Sequence, residues 1–91
     1  MKIIILGAGT VGSTLAISLS KEDNDVTVVD ENPTTLNHLE EEADINTIIG
    51  SCSYPTTLVN AGIKEADMVV AVTGSDEINI VSSLMSKVLS Q

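Results

Sequence analysis

Apolar residues in this chain fall into short unbroken runs that alternate with stretches where they recur every third or fourth position. "KIIIL" (Lys2 to Leu6) is a run of the first kind and predicts a buried strand, while from Thr10 to Lys21 the residues Val11, Leu15 and Leu19 recur every four positions, which predicts a helix face. "NDVTVVD" (Asn24 to Asp30) is a second short run, rich in β-branched residues and stopped by polar ones, as in a strand. Behind it Asn32 suits a helix N-cap, Pro33 suits the first helical position, and Leu36, Leu39 and Ala43 repeat at helical spacing. Ile45 to Gly50 predicts a third strand ending in a turn, and "SYPTTLVNAG" a short helix that starts at Pro55 and closes at Gly62. "ADMVVAVTG" is apolar on both faces, the pattern of a parallel strand covered on each side. From Ser75 onward Ile78, Val81, Met85 and Val88 mark one face, with Asp76 and Glu77 in the first turn where acidic groups suit the helix dipole. This predicts a long amphipathic helix running to the chain end.

Strands and helices therefore alternate four times over, with connections of a few residues and no low-complexity linker. Right-handed crossovers turn that order into an α/β fold: a Rossmann-like, doubly wound parallel sheet, truncated to four strands in the order 3-2-1-4, with helices on both faces. Residues 1–91 then form a single domain. A complete doubly wound sheet has further strands beside the fourth, so Met68 to Val72 would lie at an open edge, an aggregation hazard unless covered. The expectation is a fragment of a longer polypeptide, or an oligomer that pairs this edge.

Composition narrows the function classes. Ninety-one residues with 43% hydrophobic content lie near the small end of what can bury its own core. Tyr54 is the only aromatic residue, which argues against a base-stacking platform. Four lysines and no arginine against thirteen acidic residues leave a net charge of -9, repelling phosphate backbones and anionic headgroups alike. Nucleic acid and direct membrane insertion are thereby disfavoured as partners. The longest apolar runs, "IIIL" and "MVVAV", fall far short of the roughly 20 residues that span a bilayer. Cys52 is the sole cysteine, so no internal disulfide forms, and a reducing compartment fits best. The basic and apolar start of the chain also has the look of a secretory signal, but three glycines in six positions interrupt its apolar region.

Those glycines carry the candidate chemistry. Gly7-x-Gly9-x-x-Gly12 lies between a predicted strand and a predicted helix, the context that gives the motif meaning as a phosphate cradle. Gly7 permits the tight turn, Gly9 lets backbone approach a pyrophosphate, and Gly12 lets the helix pack close to the sheet. The amides of Gly9, Thr10 and Val11 would point at the anion from the positive end of the helix. Asp30 ends the second predicted strand, eighteen residues beyond Gly12, where a carboxylate accepts from ribose hydroxyls and repels a 2′-phosphate. NAD or an ATP-type ligand is thus favoured over NADP. Cys52 follows the third strand where the adenine of a dinucleotide would lie, either lining a ligand or serving as a buried structural thiol. Thr73 and Gly74 follow the fourth strand at the same edge, as a contact for the ligand's far side or as a simple loop. His38, on the polar side of the second helix with no second histidine, reads as solvated surface rather than a metal site. The acidic run Glu40, Glu41, Glu42 and Asp44 reads as a solvated helix end. No Tyr-x-x-x-Lys pairing or other evident proton donor accompanies the nucleotide motif, so the expectation is a binding protein and not an enzyme.

Together "MKIIILGAGTVGSTLA", "NDVTVVDENP" and "GSCSYPTTLVNAGIKEADMVVAVTGSDEINIV" resemble the regulatory nucleotide-binding (RCK/KTN) domain of bacterial Trk/Ktr potassium uptake systems, and in particular the N-terminal half of the first such domain in the TrkA family. The most specific part is "AGIKEADMVVAVT" followed by "DEIN". The resemblance covers essentially the whole chain. It implies a cytoplasmic regulatory subunit, peripheral at the inner membrane, that assembles as a dimer or ring on a membrane potassium transporter and responds to NAD(H) or to ATP and ADP. It further implies that Gly7, Ala8, Gly9, Thr10 and Val11 hold the phosphates, Asp30 the adenosine ribose, Ser51 and Cys52 the adenine side, and Thr73 and Gly74 the opposite wall. Asp76 and Glu77 match a family motif near the pocket. Two other classes compete: the cofactor-binding half of an NAD-dependent oxidoreductase, and an interaction domain with a vestigial site.

Overall fold

The computed structural model describes residues 1–73 and Leu89. Strands β1 (Lys2–Leu6), β2 (Asp25–Asp30), β3 (Asn46–Ile49) and β4 (Met68–Ala71) alternate with helices α1 (Thr10–Ser20), α2 (Pro33–Glu42) and α3 (Pro55–Asn60). All strand pairs are parallel and the sheet order is β3-β2-β1-β4, as expected from the alternation. β1 is central: Ile5 stands beside Val28 on one side and Val70 on the other.

Successive β1 side chains enter two different apolar layers. Ile3 and Ile5 join Val26, Val28, Ala16, Leu36 and Leu39 under α1 and α2. Ile4 and Leu6 join Val29, Leu58, Ala61 and Ile63 under α3 and the turn that follows it. Because both faces of the sheet are covered, an unbroken aliphatic run suits β1 better than an alternating one would. Each such side chain contributes about 1.5–3 kcal/mol on burial. Leu89 packs against the second layer.

Local chemistry explains where the helices begin. Asn32 Oδ1 accepts from the amides of Thr34 (3.0 Å) and Thr35 (3.4 Å), and Pro33 occupies the first position of α2, where its missing N–H costs nothing. Pro55 opens α3 in the same way, although Tyr54 at the N-cap supplies no side-chain bond.

The buried stripe of α1 differs from the expected one. Val11 is 65% exposed, Leu15 and Leu19 are only partly buried, and the fully buried positions are Gly12 and Ala16. A step of four residues overshoots a 3.6-residue turn by about 40°, so Val11, Leu15 and Leu19 wind off a single face. Small residues meet the sheet instead, which lets the helix axis come close. A short 3-10 turn at Ile63–Glu65, after Gly62 in the left-handed region (φ 90°), was not legible as an element in its own right. The expected strand ends also contract, to Asn46–Ile49 for the third and to Ala71 for the fourth.

β4 lies at the sheet edge, as anticipated, with Met68 44% exposed. Gly74 and the helix expected from Ser75, with Asp76, Glu77, Ile78, Val81, Met85 and Val88, lie outside the described residues. Among the described residues no helix is long and apolar enough to cross a membrane, and no cluster of three or more His, Cys, Asp or Glu is placed to hold a metal ion.

Candidate functional site

In a parallel sheet every strand delivers its next loop to the same edge, and here those loops carry the residues singled out above. Gly7 leaves β1 with φ 115°, a left-handed conformation that a side chain disfavours. Its amide donates to the Val29 carbonyl at 2.8 Å, and a Cβ at this position would lie 2.9 Å from backbone atoms of Val72 and Thr73. The turn is therefore wedged between the end of β2 and the chain leaving β4. Gly12 faces back onto it: a Cβ there would stand 2.0 Å from the Gly7 carbonyl oxygen. Gly9 is the exception, with open space where its side chain would be, and it forms the N-cap of α1 (φ -72°, ψ -166°). The Gly9 carbonyl accepts the first helical bond, from Ser13 at 2.9 Å. The amides ahead of Ser13 then have no acceptor within the helix and give this end its affinity for anions.

Asp30 does more than end β2. Its Oδ2 accepts from the Ala8 amide at 2.8 Å and its Oδ1 from the Asn32 amide at 2.8 Å, so one carboxylate spans from the glycine turn to the start of α2. Its backbone carbonyl accepts from the Gly50 amide at 2.9 Å. Beyond Gly50, the Ser51 and Ser53 hydroxyls share a hydrogen bond of 2.7 Å, and the Tyr54 amide donates back to the Ser51 carbonyl, folding the loop after β3 over the edge.

These segments enclose a cleft of about 100 Å³, lined by Gly7, Val29, Asp30, Glu31, Gly50, Ser51, Cys52 and Thr73. Complete small-molecule sites usually measure about 300–1,000 Å³. The cleft among the described residues is thus smaller than such a site. Of the expected residues, Gly7, Asp30, Ser51, Cys52 and Thr73 line one cleft, with Cys52 buried among the apolar side chains beneath it. Ala8 is buried and joined through its amide to Asp30. Gly9 and Thr10 are exposed on the turn, Gly12 is packed against Gly7, and Val11 points away, sharing a separate shallow groove with Thr10, Thr14, Leu15 and Ser18. Gly74 lies outside the described residues. Sequence reasoning missed Val29, Glu31 and Gly50 as lining residues. Gly50 carried a usable signal, being a glycine at a strand end in the same relation to β3 as Gly7 to β1.

The charge of the lining is negative, from Asp30 and Glu31, and no lysine contributes to it among the described residues. Among the described lining residues, an anionic group would find backbone amides and the Ser51 and Thr73 hydroxyls but no cationic side chain, and a hydroxyl donor is better suited to Asp30 than a second anion is.

Comparison with known proteins places this arrangement in a family. The model of the TrkA-N domain matches residues 3–91. The Trk system potassium uptake protein TrkA of Halomonas elongata is 49% identical over 89 residues, which is 98% of this chain and 20% of that protein. Its counterpart from Haemophilus influenzae is 53% identical over 89 residues, again 98% of this chain and 19% of the relative. The chain accordingly spans about a fifth of the length of these curated relatives. Among solved structures, the Shewanella denitrificans Kef CTD in AMP-bound form superposes with a TM-score of 0.83 at 18% identity, covering 96% of this chain and 52% of that one, which shows a shared fold. With a family model matched from Ile3 to the last residue and relatives near half-identical throughout, this chain belongs to the TrkA-N domain family.

Proposed function

We propose that the chain is a nucleotide-sensing regulatory domain of a potassium uptake system, not an enzyme, and that its cleft takes the adenosine end of NAD(H) or of ATP and ADP. The observation that carries this reading is the meeting of the glycine turn and the Asp30 carboxylate in one cleft at the carboxyl ends of the strands, where open α/β sheets bind ligands. Backbone amides at the start of α1 serve the phosphates, Asp30 the ribose, and Ser51 and Cys52 the adenine side. Thr73 forms the opposite wall. The pair Asp30 and Glu31 disfavours NADP by repelling its 2′-phosphate. The relatives named as Trk system potassium uptake proteins supply the transporter context, and a neighbour of the same fold, the Kef CTD, in its AMP-bound form lends support to the nucleotide reading.

In this reading residues 1–91 work as part of a longer polypeptide, assembled as a dimer or ring on the cytoplasmic side of a membrane potassium transporter. Ligands that differ at their phosphate end make different contacts with the Gly7–Gly12 turn and the loop after β4. That difference shifts the relative orientation of paired domains. Couplings of roughly 1 to 3 kcal/mol suffice to bias such an equilibrium. Calorimetry with NAD, NADH, ATP, ADP and NADP tests the binding part: the first four bind and NADP binds weakest. Failure of every nucleotide to bind at millimolar concentration sinks it. The switching part is tested separately by small-angle scattering of the assembled protein, where identical profiles with NADH, ATP and ADP would contradict it.

A further inference from the structure

Building on that nucleotide-site reading, we propose that Asp30 is a positioning residue as well as a ribose ligand: its carboxylate holds the glycine turn and the start of α2 in the arrangement that a nucleotide requires. Three segments bordering the cleft converge on this one residue. Ala8, from the turn, donates its amide to Oδ2 at 2.8 Å; Asn32, at the head of α2, donates its amide to Oδ1 at 2.8 Å; and Gly50, after β3, donates to the backbone carbonyl at 2.9 Å. Asn32 passes the constraint on, because its own side chain caps α2 through Thr34 and Thr35. Ala8 and Asp30 lie 22 residues apart in sequence, and their bond, with the one from the Gly7 amide to Val29, carries the attachment of β1 to β2 beyond Leu6 into the turn.

The chemistry of the carboxylate permits both tasks at once. An ionised carboxylate offers about four lone-pair positions and no donor. Two are taken by the Ala8 and Asn32 amides, which leaves two for a pair of ribose hydroxyls arriving through the cleft that Asp30 lines. A carboxamide has one acceptor oxygen, and its NH₂ would confront one of the two amide donors. Asparagine therefore preserves the shape and loses one strut.

A ribose ligand and a strut make different demands on a nucleotide that has no ribose hydroxyls. If Asp30 only binds ribose, dideoxy-ATP is indifferent to its removal. If Asp30 also aims the amides of the turn, dideoxy-ATP suffers too. The experiment measures ATP and dideoxy-ATP affinities by calorimetry for the wild type, Asp30→Asn and Asp30→Ala, and amide exchange at Ala8 and Asn32 by NMR on the ligand-free proteins. The expected result is dideoxy-ATP binding weakened about fivefold or more by Asp30→Ala, with faster exchange at the Ala8 amide. Asp30→Asn falls between the two and keeps the test open should the alanine variant fail to fold. Equal dideoxy-ATP affinity in wild type and variants overturns the proposal whatever the exchange shows. Should the wild type bind no nucleotide at all, the underlying site reading fails, and unchanged exchange at Ala8 and Asn32 would then dispose of the strut independently.

Discussion

Replacing Gly12 by alanine sets two well-defined effects against each other. Alanine is the better helix former by about 1 kcal/mol, and Gly12 lies inside α1, so propensity alone calls for a gain. The added Cβ, however, would stand 2.0 Å from the Gly7 carbonyl oxygen, 3.0 Å from the Gly7 carbonyl carbon and 3.3 Å from Val72 Cγ2. Comfortable separations are about 3.5 Å, so the helix and the turn would have to part by roughly 1.5 Å. Gly7 has nowhere to go. Its amide is bonded to Val29, its φ is 115°, and a Cβ on it would lie 2.9 Å from backbone atoms of Val72 and Thr73. Overpacking of this kind costs about 1–3 kcal/mol, and rigid backbone on both sides puts the cost at the upper end. The expected net loss is about 2 kcal/mol, against a total stability of roughly 5–14 kcal/mol for a domain of this size. In thermal terms that is about 8–16 °C. Urea unfolding followed by far-ultraviolet circular dichroism measures it, with Gly9→Ala as the internal comparison. Nothing lies within 4 Å of a Cβ at Gly9, so that variant loses only a weak N-cap preference, at most about 1 kcal/mol, while its nucleotide affinity falls. A Gly12→Ala protein as stable as the wild type would show that the turn yields to the helix, and the rigid-cradle reasoning would be wrong.

Other substitutions test separate parts of the description. Asn32→Ala removes the acceptor for the Thr34 and Thr35 amides and should lower stability by about 1 kcal/mol, whereas Asn32→Asp should retain it; a thermal melt of the two side by side decides. Val11→Ser should shift stability by no more than about 0.5 kcal/mol because Val11 is 65% exposed. Ala16→Leu, on the buried stripe of the same helix, should cost about 1–3 kcal/mol. The reverse ranking in chemical denaturation would mean that α1 is rotated from the orientation described.

Much of the fold could be read from the chain because each element announces itself locally. Unbroken aliphatic runs mark the strands covered on both faces, Asn32 and Pro33 mark the start of α2, and the strict alternation of elements leaves few sheet orders open. What escaped was decided by partners distant in sequence or by residues too small to register as hydrophobic. Gly12 and Ala16 form the true inner stripe of α1, yet valine and leucine at a four-residue spacing present the louder pattern. The 3-10 turn at Ile63–Glu65 is too short for any periodicity. At the site, Gly7 and Asp30 were legible as a motif, but the bond from the Ala8 amide to Asp30 was not, because it requires β1 and β2 to be side by side.

The pairing of β1 with its neighbours has a further consequence. A slip of one residue ordinarily drives apolar side chains into water and is rejected for that reason. In β1 it would merely exchange Ile3 and Ile5 for Ile4 and Leu6 between two oily layers, so side-chain character hardly discriminates one alignment from the next. The discrimination comes from the strand's ends. At one end the Lys2 amide donates to Asp67 Oδ2 at 2.8 Å while the Asp67 amide donates to the Lys2 carbonyl at 2.8 Å. At the other, only a glycine fits the wedge between Val29 and Val72. Gly7 is thus the stop that indexes the central strand, and a residue inserted between Leu6 and Gly7 would set the register of β1 against both β2 and β4 in conflict with that stop.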